Sequence, residues 1–182
     1  MEIYFVTRNT GKLLAAQRAF DGSGITLLPV EKDYPEIQAD SSQEVARYTA
    51  LAAAKELGKP AVREDHSIFL NAWGIPGPYM NYFEKKIPAA KLLAMLSRES
   101  DRTGYFEVAT ALAKPSGEVQ EFSFRVPFSV ATEEHGTLQS GWNRILILEG
   151  ESRTLAEYPE SERLHIWSQN YDKIIALLKP GA

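Results

Sequence analysis

Pro60-Ala61-Val62-Arg63-Glu64-Asp65-His66-Ser67-Ile68-Phe69-Leu70, running on through Asn71-Ala72-Trp73-Gly74-Ile75-Pro76-Gly77-Pro78-Tyr79, sets two adjacent carboxylates at the end of a short apolar run. A strand here would carry Glu64 and Asp65 to a cleft, and the second apolar run and the Gly-Ile-Pro-Gly-Pro turn hold the chain stiffly beyond them. Carboxylates held between stiff elements are what a metal or a water nucleophile requires. A solvated strand end would also fit this stretch alone. Two further polar segments weigh against that reading: Thr7-Arg8-Asn9-Thr10-Gly11-Lys12 and Pro35-Glu36.

Outward from the acidic pair, the chain alternates strands and helices. Ile3-Tyr4-Phe5-Val6 is an apolar run of strand formers, expected to be covered on both faces. The polar Thr7–Gly11 loop then leads to a helix over Lys12–Phe20. Strand, glycine-containing loop and helix is the layout in which backbone amides at a helix N-terminus face an anion. Lys12 falls in the first turn, where it opposes the helix dipole unless an anion is bound. Ile25–Val30 predicts the next strand, and Glu31–Asp40 a polar loop. Ser41-Ser42-Gln43-Glu44 is a capping box that opens a helix over Glu44–Leu57, closed by Gly58, with Val45, Tyr48, Thr49, Ala52 and Leu57 toward the core.

Downstream, helices are expected over Tyr79–Lys85 and Ala89–Leu96. Strands at Tyr105–Leu112 and Val119–Ala131 form a hairpin about Pro115-Ser116-Gly117, a further strand covers Ile145–Leu148, and a last helix covers Glu160–Leu178. The fold class is α/β with an antiparallel addition.

The chain of 182 residues suits one domain over 1–182. Apolar residues make up 44% and charged residues 24%, an ordinary globular composition. A net charge of -4 without a basic cluster argues against nucleic acid or an anionic membrane as partner, while leaving room for a small phosphorylated ligand. The absence of Cys excludes disulfides and thiolate metal sites. Neither a basic leader nor a membrane-length apolar stretch is visible, which predicts a cytoplasmic protein.

Taken in order, these segments resemble the house-cleaning nucleoside triphosphate pyrophosphatases that hydrolyse inosine and xanthosine triphosphates. The resemblance rests on Thr7-Arg8-Asn9-Thr10-Gly11-Lys12, Pro35-Glu36, Glu64-Asp65 and Asn71–Tyr79, and more weakly on Gly141-Trp142 and Ala156-Glu157. It implies an ITPase-like, elongated mixed α/β fold with two lobes around a nucleotide cleft, assembled as a homodimer. It also implies Mg2+-dependent hydrolysis between the α and β phosphates. Carried over residue by residue, the segment Thr7, Arg8, Asn9, Thr10, Gly11 and Lys12 would meet the substrate, with Thr7, Asn9 and Lys12 on the triphosphate. Lys12 and Asp65 would be catalytic. Glu36 and Asp65 would hold the metal, Asp65 serving as ligand or as the base that prepares water.

The departures from that pattern are specific. His66-Ser67 follows the acid where the family has Ser or Thr and then Gly or Cys, and His66 is a candidate ligand contact. Gly141-Trp142-Asn143-Arg144 replaces Gly-aromatic-Asp-Pro, leaving Trp142 either as a ring to stack on a base or as a residue that packs a lobe. Glu162-Arg163-Leu164 and Trp167-Ser168-Gln169 stand for Glu-Lys-Asn and Ser-His-Arg, so Arg163 becomes the candidate donor and the base-reading pair is missing. The phosphate and metal half is expected to be kept and the base-reading half rebuilt. Two alternatives stay open at this stage: a nucleotide-binding module of the same fold without turnover, and a hydrolase of another phosphate anhydride.

Overall fold

The computed structural model describes residues 1–179 except Glu31, Asp33 and Glu36, and these fall into two compact units. The first comprises Met1–Asp65, Val108–Phe124 and the segment from Arg163 onward. At its centre β1 (Glu2–Val6) lies parallel both to β2 (Thr26–Val30) and to β3 (Ala61–Leu70), with Val6 paired to Val30 on one side and to Arg63 on the other. Alternation along β1 divides its side chains between two cores. Ile3 and Phe5 join Val62 and α1 (Thr10–Phe20) in one cluster, completed by Tyr171, Ile174 and Ile175. Val6 and Ala61 join α2 (Ser42–Leu57) in the other. Pro29 is tolerated because β2 is the edge strand, where a missing N–H breaks no second ladder.

α2 starts at Ser42, two residues before the expected Glu44, and the Ser41 half of the predicted capping box is formed. Ser41 Oγ accepts the Glu44 N–H at 3.2 Å, and Gly58 closes the helix in the left-handed region at φ 62°. Its buried face differs from the one expected. Val45 and Thr49 are buried, but Tyr48 is exposed, and the contact stripe is Ala46, Ala50, Ala53 and Ala54. Small side chains spaced three and four apart bring the helix backbone close to the sheet, an approach that a tyrosine would block.

The second unit comprises His66–Glu107 and Arg125–Glu162. Within it the end of β3 pairs antiparallel with β4 (Ile75–Gly77), followed by α3 (Met80–Lys86) and α4 (Ala89–Leu96). β5 (Thr103–Ala113) and β6 (Val119–Val130) form the expected hairpin, and β7 (Leu146–Leu148) adds antiparallel to β6. Arg102 ties this unit together: its guanidinium donates to the carbonyls of Leu96, Val130 and Ala131. The strand order is β2-β1-β3-β5-β6-β7, and β3, β5 and β6 contribute residues to both units.

Two expectations are corrected. Glu64 and Asp65 do not end a strand; both lie in the middle of the ten-residue β3, which absorbs both apolar runs. The C-terminal helix is broken: a 3-10 turn at Glu160–Glu162 and α5 (Leu164–Trp167) precede α6 (Gln169–Leu178). The break falls at Ser168, whose hydroxyl donates to the His165 carbonyl at 3.0 Å, the local side-chain bonding that competes with helix continuation.

Because Ser41 caps α2 and Ser42 does not, Ser41→Ala should lower the unfolding free energy by about 1 kcal/mol, with an unchanged urea slope. Ser41→Asp should restore it. Urea midpoints that do not move in Ser41→Ala would remove the cap from the account of α2.

Candidate functional site

The winding of the sheet reverses at β1. The chain leaves β1 through α1 to reach β2 on one side, then crosses through α2 to reach β3 on the other. In open α/β sheets the carboxyl ends of strands at such a reversal are where ligands sit. The ladder between β1 and β3 stops at Val6 and Arg63, while β3 continues to Leu70. Two cations close the open strand ends: Lys12 Nζ lies 3.3 Å from the Glu64 carbonyl oxygen, and Arg63 Nη1 lies 3.2 Å from that of Val6.

The loop after β1 is held by its own side chains. Thr7, buried, accepts the Asn9 N–H on Oγ1 at 3.0 Å, and Asn9 caps α1 by accepting the Lys12 N–H on Oδ1 at 3.0 Å. The cap starts the helix at Thr10, two residues earlier than expected. Arg8, Asn9 and Thr10 are exposed, Gly11 and Lys12 half-buried, and the first turn of α1 contains no acid. A helix start of this kind, with a lysine in its first turn, is suited to an anion.

Strand alternation separates the two carboxylates. Asp65 is half-buried and shares the α2 face with Ala61 and Arg63; its Oδ2 accepts the Ser42 hydroxyl at 2.7 Å. Glu64 takes the opposite face, that of Val62, and is buried to 2% exposure. There it lies near Tyr171, whose ring packs edge-on against Phe5 with centroids 5.8 Å apart. Burial first, and the Glu64 carboxylate second, push the Tyr171 hydroxyl well above its ordinary pKa of 10.0. Asp65 is thus the acid turned toward α2, and Glu64 is an interior residue.

Thr7, Asn9, Lys12 and Asp65 all belong to the first unit, at the reversal. Arg163 belongs to the same unit but is buried to 4% exposure. His66, half-buried on β3, and Trp142 belong to the second unit. Trp142, for which base stacking and lobe packing were both open, is buried. Its indole N–H donates to the Ile87 carbonyl at 2.8 Å and its backbone N–H to a Glu84 carboxylate oxygen at 2.7 Å. Glu36, the other expected metal ligand, lies outside the described residues. Among the described residues no group of three or more His, Asp or Glu is gathered as for a metal, but Mg2+ needs only one or two carboxylates besides waters and phosphate oxygens.

Ser42, Arg63 and Tyr171 escaped the sequence reading. For Ser42 a signal was present: one serine suffices to cap α2, so the second of the Ser41-Ser42 pair was open to other work.

The fold and this arrangement define a class: an α/β protein with a capped loop-helix and a half-buried carboxylate, turned toward α2, at the reversal of its sheet. The chain belongs to the Ham1 family, whose model matches residues 3–170. It is 35% identical over 167 residues to a dITP/XTP pyrophosphatase of Methanopyrus kandleri, covering 91% of this chain and 89% of that one. To the dITP/XTP pyrophosphatase of Thermococcus kodakarensis it is 36% identical, covering 91% and 90%. Among solved structures, a nucleoside-triphosphatase, dITP/XTP pyrophosphatase, of Mycobacterium abscessus matches with a TM-score of 0.73 at 27% identity over 99% of this chain and 98% of that one. A HAM1 protein of Coxiella burnetii matches in fold with a TM-score of 0.84 at 24% identity, covering 98% of each chain.

A phenol kept neutral by burial stabilises the fold fully below the unfolded tyrosine pKa near 10 and progressively less above it, because the unfolded chain ionises first. Comparing pH 9 with pH 11, Tyr171→Phe should therefore lose about 1.4 kcal/mol less stability than the wild type, one proton's worth over that interval. Equal alkaline losses in urea melts of the two proteins would contradict the placement of Tyr171.

Proposed function

We propose that the chain, acting as a single functional domain over 1–182, is a Mg2+-dependent nucleoside triphosphate pyrophosphatase. It would convert a triphosphate and water to the monophosphate and pyrophosphate. The observation that carries this reading is the pairing, at one sheet reversal, of the capped Thr7–Lys12 loop with Asp65 on β3. The names of the curated relatives support it.

Thr7 and Asn9 set the loop, so that its amides and Lys12 meet phosphate oxygens without rearranging when substrate arrives. Lys12 arrives already seated on the Glu64 carbonyl, and its three donors allow it to keep that bond while taking a phosphate oxygen. Asp65 is an acceptor whose Oδ2 is oriented by Ser42, leaving further lone pairs to hold a water and take its proton. This donor set fits Mg2+: a half-buried carboxylate oxygen beside a phosphate site is a hard ligand, and Glu36 with Asp65 would hold the ion. When bound, Mg2+ supplies charge neutralisation at the phosphates.

Base preference moved away from inosine and xanthosine is supported by the C-terminal segment. Ser168 donates its hydroxyl to the His165 carbonyl, and Gln169 Nε2 lies 3.5 Å from that of Ile166, so both side chains are engaged by their own helix ends. A cytoplasmic homodimer goes with this reading; among the described residues no helix is long and apolar enough to cross a membrane.

Asp65→Asn keeps the shape but removes the negative charge and the proton acceptor, so pyrophosphate release should fall at least ~100-fold. Near-normal turnover would take Asp65 out of the mechanism. For specificity, kcat/KM measured at one Mg2+ concentration for inosine, xanthosine, guanosine and pyrimidine triphosphates should differ by less than ~10-fold in favour of the first two. A lost hydrogen bond to a base edge is worth about 1 to 3 kcal/mol. A hundredfold preference for inosine or xanthosine triphosphate would show that other residues have taken over reading the base.

A further inference from the structure

We propose that Arg63 is a second fixed cation of the phosphate site, binding a phosphate oxygen of the substrate alongside Lys12. The inference rests on the triphosphate reading above and adds a residue that reading does not use.

Three observations converge on Arg63. It is the last residue of β3 in register with β1, opposite Val6, and its Nη1 lies 3.2 Å from the Val6 carbonyl oxygen, immediately before the Thr7–Lys12 loop begins. The period of two places it on the same face of β3 as Asp65, about 7 Å along the strand. It is half-buried, so its charge is less shielded by water than that of the exposed Arg8.

The placement has an electrostatic consequence. Asp65 brings a negative charge to the side from which phosphates approach, and a guanidinium two residues away on the same face offsets that repulsion. The planar fork of Arg can bond the Val6 carbonyl with one N–H while directing others to a phosphate oxygen, which a lysine ammonium does less selectively. Lys12 and Arg63 then flank the point where β1 and β3 part, one from the helix and one from the strand.

The test uses the intact protein with Arg63→Gln, and Arg63→Met as a second variant of similar length should the first fail to fold. Calorimetric titration with inorganic tripolyphosphate at fixed Mg2+ should show wild-type binding, weakened ~10- to 100-fold in the variant, the scale of a charge-assisted hydrogen bond. Thermal melting run in parallel separates a structural role. A lowered Tm with unchanged tripolyphosphate affinity would mean that Arg63 serves only to close the strand end, and would overturn the proposal. Wild-type turnover is assayed alongside: pyrophosphate release with unaltered affinity in the folded variant sinks Arg63 alone. A wild type that neither binds tripolyphosphate nor turns over triphosphates sinks the reading beneath it as well.

Discussion

A strand that ends before its neighbour leaves backbone carbonyls without ladder partners, and buried polar groups of that kind must be bonded or cost about 1 to 3 kcal/mol each. At the end of β1 this constraint is met by two cationic side chains, Lys12 on Glu64 and Arg63 on Val6. The same constraint therefore gathers positive charge where the sheet reverses. Neutral donors would have satisfied the carbonyls equally well. Placing cations there instead makes the opening between the strands suitable for anions, and the capped start of α1 adds its dipole in the same place.

The two neighbouring acids show how strand geometry assigns chemistry. Glu64 and Asp65 are chemically similar, yet consecutive residues of a strand face opposite sides, so they inherit opposite environments. Glu64 enters the core of Phe5, Phe20 and Tyr171. Asp65 is half-buried on the other face, oriented by one hydroxyl from α2. Its neighbour could exchange roles with it only if β3 slipped by one residue, which would also turn Ala61 and Val62 out of their cores.

Close packing governs the second unit in a different way. Glu84 and Trp142 lock α3 to the 3-10 turn at Gly141–Arg144, and the indole N–H finds its partner in the Ile87 carbonyl. An aromatic ring beside a glycine looks like a ligand platform in sequence. Once its polar atom is satisfied by the protein and its faces are covered, it contributes packing energy.

Features written in short-range chemistry were legible from the residues alone. Ser41 and Gly58 announce helix ends because a side-chain cap and a left-handed glycine are local features. Asn9, whose cap moves the start of α1 to Thr10, was read only as a substrate contact. The run of Thr7–Lys12, Glu64 and Asp65 was visible as polar residues interrupting apolar strands. What the sequence could not determine was long-range. Ser42 meets Asp65 across 23 residues, Arg63 meets Val6 across 57, and both contacts exist only because parallel pairing brings those strands and α2 into register. The alanine face of α2 and the buried Trp142 likewise follow from what each segment packs against. Hydrophobic periodicity states that a face is apolar; which face is covered, and by how close a neighbour, is decided by the tertiary fold.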